Sequence, residues 1–551
     1  MRARDGMVVT SQADASRAGA AMLARGGNAV DAAVAAAFAL GVTQPFSAGI
    51  GGGAFLLIRS PEGELVALDA RETAPAAATP DMYTRPGVPE RASLSGPLAV
   101  ATPGFVSGLA AALRRYGTLT LAEVLEPAVA LAERGFEISP YHARMLGYMH
   151  KRGMHERFPE TGRIQFPPPG TPIEAGWRLV QEDLGRTLRA IAWEGPAGFY
   201  RGPVAQAIAE DMVKSGGILS AEDLAGYRPV LRAPVSGHYR GYEIHSFPPP
   251  SSGGVAVIES LNILSGFDLR GLGVDSPASQ HRIAEALKLA FMDRNTYLGD
   301  PDYVDVPVAG LLSAQHADAL RALINPPWWR RAFWTWGRDE VAIEVRSPGR
   351  PLNDSGTTHL STTDGAGGAV ALTMTINTPF GSGMTVPGTG ILLNNEMDDF
   401  SVAIGVPNVY DLVDVRGANA IAPGKRPLSS MSPTVVEKDG ALFLVTGSPG
   451  GPRIISTTLQ AILNVVDFGM EIDEAVAAPR IHHQWIPHRV SVEEAVPEAV
   501  VEGLRARGHE IQSRRAWSAA ESIRVDAASG WHLGANDPRR DGLAVGYTQD
   551  P

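Results

Sequence analysis

Two adjacent stretches of strand-forming residues, 357–364 and 367–377, constrain the fold more than any other part of the chain. A glycine-rich turn at 364–368 joins them, so together they predict a β-hairpin. Apolar and polar side chains alternate along the second stretch. Val370, Leu372, Met374 and Ile376 share one face, and Thr373, Thr375 and Asn377 share the other. The apolar face predicts contact with a core, while the polar face is either solvated or lines a site.

Helical and strand-like patterns also lie side by side near the start of the chain. A strand-like run at 7–12 precedes a helical pattern at about 14–25. A second helix begins after Asn28, whose side chain suits an N-cap. Two further strand-like runs follow at 55–59 and 65–72. Helix pairs beside strands predict a layered α/β or α+β architecture.

The glycine-rich run at 49–53 matches the spacing of a dinucleotide-binding fingerprint. That motif requires a preceding strand and a following helix. Here a proline-containing loop precedes the run and an apolar strand-like segment follows it. We therefore interpret the glycines as a tight turn that requires positive φ angles.

The middle of the chain, about 75–352, mixes helices such as 121–134 and 280–297 with proline-rich loops. One segment, 326–337, contains four of the nine tryptophans. We interpret it as a loop packed on the surface by its aromatic side chains. A contact with a partner or a membrane is the alternative.

The composition excludes several classes of function. A net charge of -11 argues against a nucleic-acid partner, because phosphate binding requires a basic surface. The absence of cysteine excludes disulfides, thiolate metal sites and cysteine nucleophiles. We interpret the adjacent His482 and His483 as a structural pair, since no HExxH motif and no suitably spaced carboxylate lies nearby. No metal and no organic cofactor is implied.

The first residues do not have the pattern of a secretory signal. Arg2 and Arg4 are followed by Asp5, and no apolar segment comes after them. The most apolar run, about 32–42, is too short to cross a bilayer. As written, the sequence predicts a cytoplasmic protein without a membrane association. It would be periplasmic or secreted if a leader was removed or the start was wrongly assigned.

Two later segments contain groups that suit a catalytic pocket. GSPGG at 447–451 follows a strand-like run and forms either a simple turn or a nest of backbone N–H groups for an oxyanion. The segment 394–400 contains three carboxylates among apolar residues, so we expect it to be partly buried. Buried carboxylates require a cationic or hydrogen-bonding partner, and a substrate ammonium group would serve.

The order and spacing of ten segments resemble the γ-glutamyltranspeptidases, and the resemblance covers nearly the whole chain. In chain order they are GMVVTSQ (6–12), GGNAVDAA (26–33), GGGAFLLIR (51–59), DARETAP (69–75), DSGTTHLS (354–361), NTPFGSG (377–383), GILLNNEMDDFS (390–401), GVPNVY (405–410), KRPLSSMSPT (425–434) and GSPGG (447–451).

The resemblance implies an α+β fold, the four-layer αββα sandwich of N-terminal-nucleophile hydrolases. It implies a precursor that cuts itself between Gly356 and Thr357. The products would be a large subunit, 1–356, and a small subunit, 357–551, which associate as a heterodimer and share one core.

The resemblance also implies the chemistry. The Thr357 hydroxyl would attack a γ-glutamyl amide, and its new α-amine, with an ordinary pKa of about 7.7–8.0, would act as the base. Gly450 and Gly451 would stabilise the oxyanion. Water would then release glutamate, or an amino acid or peptide acceptor would take the glutamyl group. The implied partners are thus a small-molecule γ-glutamyl substrate and its acceptor.

Roles in substrate binding carry over position by position. Arg71 would pair with the α-carboxylate of the glutamyl group, because a planar guanidinium suits a carboxylate. Thr375 would hydrogen-bond near the nucleophile, and the segment 401–425 resembles a lid over the pocket. Ser429 and Ser430 would assist Arg71. The α-ammonium group would be held by Asn377, Glu396 and Asp399.

Two alternatives to a glutathione-directed enzyme remain open. A related acylase of the cephalosporin or oxamate type would keep the mechanism and change the acyl group. A non-catalytic protein would keep only the scaffold, although the intact TTH and GSPGG segments argue against it.

Overall fold

The computed structural model describes residues 1–324 and 356–549, so the tryptophan-rich segment 326–337 lies outside the described residues. The strands are β1 (Arg2–Ala3), β2 (Gly6–Thr10), β3 (Gly53–Arg59), β4 (Leu65–Ala70), β5 (Phe136–Glu137), β6 (Arg178–Leu179), β7 (Val230–Arg232), β8 (Val235–Tyr239), β9 (Tyr242–Ser246), β10 (Gly356–Asp364), β11 (Ala369–Asn377), β12 (Thr385–Val386), β13 (Ile391–Leu392), β14 (Thr434–Lys438), β15 (Ala441–Thr446), β16 (Ile481–His482), β17 (Val490–Glu493), β18 (Ile511–Arg514), β19 (Ser522–Asp526), β20 (Trp531–Ala535) and β21 (Leu543–Tyr547).

The helices surround these strands. They are α1 (Ala13–Ala24), α2 (Ala29–Thr43), α3 (Phe105–Tyr116), α4 (Leu121–Arg134), α5 (Pro140–Lys151), α6 (Met154–Arg157), α7 (Pro159–Gln165), α8 (Glu182–Glu194), α9 (Ala197–Tyr200), α10 (Gly202–Ser215), α11 (Ala221–Gly226), α12 (Gly253–Leu264), α13 (Leu269–Leu272), α14 (Pro277–Tyr297), α15 (Val308–Leu311), α16 (Ala314–Ile324), α17 (Arg453–Val466), α18 (Ile472–Ala477) and α19 (Glu498–Ala506), with short 3-10 turns at Pro97–Ala99 and Glu396–Asp399.

Two seven-stranded sheets form the centre of the molecule. One has the order β21-β2-β10-β11-β3-β4-β7 and the other the order β1-β20-β19-β15-β14-β9-β8. Helices α1, α2 and α3 contact the first sheet and α4 packs on α2, whereas α12 and α18 contact the second sheet and α14 and α17 pack on α12. A third hydrophobic core, which includes Phe55, Phe247 and Val435, fills the space between the sheets. The layers therefore follow the predicted αββα order.

The predicted hairpin is the centre of the first sheet. Strands β10 and β11 pair antiparallel, and the register shifts between Gly356 and Thr357. The apolar face of β11 packs against the helices, as its alternation predicts. Its polar face is buried between the two sheets, where the Thr373 hydroxyl bonds to the His359 ring at 2.8 Å. The polar face is thus not solvated, and its end at Thr375 reaches the candidate site.

The glycine run at 49–53 corrects one expectation. A turn does form there, but Gly49, Gly51, Gly52 and Gly53 are not among the residues with positive φ. The reason for glycine is the close approach of other backbone segments. A Cβ on Gly51 would lie 2.2 Å from the Leu392 carbonyl oxygen, and one on Gly52 would lie 2.1 Å from the oxygen of Thr375. These contacts place β3 directly against the strands that carry the site.

Local signals set several other boundaries. Asn28 caps α2 through a capping box with Asp31, as its side chain predicts.

His482 and His483 are buried, and His482 bonds to Ser456 at 3.0 Å and Gln484 at 2.9 Å, in agreement with a structural role. Within 1–324 and 356–549, no helix combines the length and apolar character needed to cross a membrane.

Candidate active site

Thr357 lies at the start of β10 and faces Thr375 on β11. Their hydroxyl oxygens are 3.0 Å apart, and both side chains are buried. The Thr375 hydroxyl also donates to the carbonyl oxygen of Gly356 at 3.0 Å and accepts from the N–H of Asn377 at 2.8 Å. One hydroxyl therefore contacts both the predicted nucleophile and the carbonyl on the other side of the predicted cleavage bond.

Gly356 has no space for a side chain. A Cβ there would lie 2.1 Å from the carbonyl oxygen of Thr378. The opposite side of the threonine is held by Arg540, whose guanidinium donates to the Thr357 carbonyl oxygen at 3.2 Å. The backbone on both sides of the Gly356–Thr357 bond is thus fixed by neighbours that are distant in sequence.

Arg71 is fully buried at the other end of the site. Its guanidinium contacts the carboxylates of Glu396 and Asp399 and donates to the carbonyl oxygen of Pro427 at 3.1 Å. A third carboxylate, Glu72, lies 3.5 Å away. One guanidinium therefore faces three carboxyl groups, more than a single positive charge can neutralise, and the segment 394–400 is buried as its apolar residues predicted.

This charge imbalance shifts the ionisation of the cluster. Burial alone would lower the pKa of Arg71, but the surrounding carboxylates raise it above its ordinary value. Burial raises the pKa of Glu72 to about 8 and that of Glu396 well above its ordinary value, against the attraction of Arg71. In the described part of the chain, neither Glu72 oxygen accepts a hydrogen bond. The cluster therefore favours an additional positive group.

The glycine pair lies where the loop after β15 enters α17. Gly450 and Gly451 have φ angles of 134° and 58°, which an L side chain rarely adopts. A Cβ on Gly451 would also lie 2.8 Å from the ring of Tyr410. The N-terminus of α17 follows directly and contributes its partial positive charge to this position. The loop therefore suits an anion, as an oxyanion site requires.

Ser429 and Ser430 lie beside Arg71 on a loop that is fixed by its backbone. The Ser429 N–H donates to the Pro250 carbonyl oxygen at 2.9 Å, and the Ser252 hydroxyl donates to the Ser429 carbonyl oxygen at 2.7 Å. Both serines are buried.

One small, partly open cavity connects these groups. Of the ten residues predicted for catalysis and binding, only Gly450 is not in its wall, although it adjoins Gly451, which is. The wall residues named in the sequence analysis are Arg71, Thr357, Thr375, Asn377, Glu396, Asp399, Ser429, Ser430 and Gly451.

The predicted lid segment, 401–425, covers one side of this cavity. Tyr410 lines the wall, its hydroxyl donates to the Asn377 carbonyl oxygen at 2.6 Å, and its own carbonyl accepts from Gln484 at 3.0 Å. Asn419 holds the segment to the acidic loop by donating to the Asp399 carbonyl oxygen at 2.6 Å.

Sequence reasoning missed three residues of the site: Glu72, Tyr410 and Arg540. Glu72 follows Arg71 directly in the chain, and this adjacency was a signal that could have identified it. Tyr410 stands in one of the segments that carry the resemblance. Arg540 had no signal, since it is 183 residues from the carbonyl that it contacts.

Comparisons with known proteins agree with this geometry. The family model described as Gamma-glutamyltranspeptidase matches residues 15–547. The glutathione hydrolase proenzyme of Escherichia coli (strain K12) is 45% identical over 99% of this chain and 93% of its own length. The acylase ACY 1 proenzyme of Pseudomonas sp. (strain SE83) is 42% identical over 98% and 93%. The crystal structure of a cephalosporin acylase from Bacillus halodurans is 31% identical, with a TM-score of 0.84, over 100% of this chain and 97% of that one.

The molecule has two stacked sheets between helical layers, and a threonine of a central strand faces a charged pocket. Together with the structural similarity, this defines an enzyme of the N-terminal-nucleophile hydrolase class. Within that class, the chain belongs to the γ-glutamyltranspeptidase family.

Proposed function

We propose that this protein cleaves the γ-glutamyl amide bond of glutathione-like compounds and transfers the glutamyl group to water, an amino acid or a peptide. One observation carries the proposal: the Thr357 hydroxyl and the Arg71–Glu396–Asp399 cluster line the same small cavity. A nucleophile is thereby placed at one end of a pocket whose other end contains charges of both signs.

The charged end suits the head group of an α-amino acid. In the structure Arg71 pairs with Glu396 and Asp399. A zwitterionic head group entering here would give its carboxylate to Arg71, with Ser429 and Ser430, and its ammonium to the two acids. Each charge would thus exchange one buried partner for another, which avoids leaving any of them unpaired.

The enzyme would first activate itself by cutting its own chain. The Thr357 hydroxyl adds to the Gly356 carbonyl carbon, the bond from that carbon to the Thr357 nitrogen breaks, and the nitrogen takes up the proton. The resulting ester is hydrolysed by water, which leaves a Gly356 carboxylate and a free amine on Thr357. The hydrogen bond from Thr375 to the Gly356 carbonyl oxygen supports this step, because it stabilises the charge that develops there.

Turnover would repeat the same chemistry on the substrate. The free amine of Thr357 takes the proton of its own hydroxyl, and the oxygen attacks the γ-carbonyl carbon. The N–H groups of Gly450 and Gly451 hold the oxyanion. The Thr357 amine then passes its proton to the substrate nitrogen, which leaves as a free amine. Water or an acceptor amine then attacks the acyl-threonine ester.

The subunits 1–356 and 357–551 would stay together after the cut. The first sheet takes β2, β3, β4 and β7 from the large part and β10, β11 and β21 from the small part. Separation would break backbone hydrogen bonds along both sheets, including those of β1 with β20 and of β9 with β14 in the second sheet, which supports a tightly associated heterodimer.

A denaturing gel and amino-terminal sequencing test the activation step. We expect two fragments in place of the 58.2 kDa chain, the smaller beginning at Thr357, and an intact single chain for Thr357→Ala. A wild-type protein that remains one inactive chain, or a small fragment with another first residue, would contradict the proposal.

A second candidate function is an acylase for a different acyl group, because an acylase relative is 42% identical and a cephalosporin acylase shares the fold. The two candidates differ in their need for the α-ammonium group. We expect release of p-nitroaniline from γ-glutamyl-p-nitroanilide and slow release from glutaryl-p-nitroanilide, which lacks that group. The reverse preference would favour the acylase.

A further inference from the structure

Three side chains from neighbouring helices meet in the helical layer that covers the second sheet. Glu259 lies on α12, Asp293 on α14 and His316 on α16. Their ligating atoms all lie within 4.8 Å of one another. His316 Nε2 is 2.5 Å from Asp293 Oδ2 and 3.7 Å from Glu259 Oε1. An imidazole nitrogen and two carboxylate oxygens therefore converge on one point.

The two carboxylates are buried, whereas the histidine reaches the surface. Glu259 and Asp293 are 1% and 4% exposed, and the His316 side chain is 30% exposed. In residues 1–324 and 356–549, Glu259 Oε1 has no hydrogen-bond partner, and it is the atom that faces His316 Nε2. A buried carboxylate oxygen without a partner is costly, so this atom points to a missing positive group.

Two other clusters of this kind already contain a strong cation. Lys288 pairs with Glu285 beside His281, and Arg59 pairs with Glu437 at 2.6 Å beside His245. By contrast, no lysine or arginine of the described ranges pairs with Glu259 or Asp293. The ion-pair contacts of these two carboxylates are with His316.

We propose that Glu259, Asp293 and His316 form a binding site for a divalent transition-metal ion such as Zn²⁺. One imidazole and two carboxylates are a ligand set that zinc accepts, with a water as fourth ligand on the exposed side. Bonds of about 2.0–2.2 Å separate tetrahedral ligands by about 3.3–3.6 Å, so the 3.7 Å pair is already close to this spacing, and the 2.5 Å pair must open by about 1 Å through a change in side-chain rotamer.

Binding changes the protonation of the cluster in a defined way. Any proton on His316 Nε2 and any proton shared between the acids leave to solvent as the ion enters, and the histidine keeps a proton on Nδ1. The ion would join α12, α14 and α16, the last helix before the segment that leads to residue 356. The site is thus structural, and it is independent of the proposed function.

Titration calorimetry with ZnCl₂ tests the site on the full protein after treatment with a chelator and dialysis. We expect one Zn²⁺ per chain for the wild type. His316→Gln and Glu259→Gln are each expected to weaken binding by at least about tenfold, since even groups behind the ligands contribute that much. His316→Gln is the safer variant for folding, because this side chain is partly exposed.

His281→Gln is the matched control, since it removes a histidine from the cluster of His281, Glu285 and His509, which is the alternative place for a metal ion. It should bind Zn²⁺ like the wild type. The proposal is overturned if the wild type binds no Zn²⁺, if His316→Gln binds as tightly as the wild type, or if His281→Gln removes the binding. None of these outcomes depends on γ-glutamyl release.

Discussion

The Thr375 hydroxyl lies 3.0 Å from the Thr357 hydroxyl and 3.0 Å from the carbonyl oxygen of Gly356. It therefore contacts the attacking group and the attacked carbonyl of the proposed cleavage at once. Its own position is set by the Asn377 N–H, which donates to it at 2.8 Å. In the proposed cut, a side chain placed in this way would stabilise the transition state without itself reacting.

Thr375→Val should slow chain cleavage by about 10²–10³-fold, because it removes one donor to the developing oxyanion while keeping the shape of the side chain. Thr375→Ser keeps the hydroxyl and should restore most of the rate. The measurement is a time course of fragment appearance on denaturing gels. Equal rates for the valine variant and the wild type would show that this hydroxyl has no part in the cut.

Asp399→Asn should weaken the binding of the substrate ammonium group while leaving the chain able to cut itself. A lost hydrogen bond to a charged group corresponds to about 1.5–3 kcal/mol, or about 10- to 150-fold in kcat/KM for a γ-glutamyl anilide. The slow reaction of a glutaryl anilide, which has no ammonium group, should change little. If both substrates lost activity equally, Asp399 would be acting through Arg71 instead.

Gly52→Ala should destabilise the fold, since its Cβ would lie 2.1 Å from the Thr375 carbonyl oxygen. We expect a loss of about 1–3 kcal/mol or more in the free energy of unfolding, together with slower cleavage. Gly147→Ala is the control. That glycine lies inside α5, and apart from its own helix backbone nothing lies within 4 Å of an added Cβ, so the change should stabilise by up to about 1 kcal/mol. Denaturant titration separates the two.

His359 should make the free energy of unfolding depend on pH. Burial between the sheets lowers its pKa to about 3, whereas the unfolded chain has the ordinary value near 6.5. Between these values the unfolded state binds more protons, so stability is complete above about pH 6.5 and declines as the pH falls toward 3.

The slope due to this one group is at most about 1.4 kcal/mol per pH unit. His359→Gln should therefore show a shallower loss of stability between pH 6 and 4 than the wild type does. His238→Gln, at an exposed position, should leave the slope unchanged. Parallel slopes for all three proteins would place the acid sensitivity elsewhere. Denaturant midpoints measured across this range give the comparison.

Much of this fold could be read from local patterns. The limits of α4 agree with the sequence prediction residue by residue, because its periodicity and its end signals are contained within the element. The hairpin of β10 and β11 was equally clear. The direction of its polar face was not, since alternation reveals two faces but does not say what covers each.

The residues that the structure brings together in the pocket were predicted only where segments resembled a family. Local reasoning found the acidic loop and expected a substrate ammonium as its partner, whereas the structure shows that Arg71, 325 residues away from Glu396, is already in contact. Arg540 and the glycines at 51–53 were missed or misread for the same physical reason. Their roles depend on contacts between distant parts of the chain, which no local pattern contains.

The position of Thr357 has a consequence for the proposed cut. Chain ends normally fray, because few contacts restrain them. Here the new end would arise inside a seven-stranded sheet, with Thr357 opposite Thr375 and its carbonyl held by Arg540. The new terminus would thus be as rigid as an interior strand. Its amine would be held beside the hydroxyl of the same residue, with little conformational entropy left to lose before catalysis.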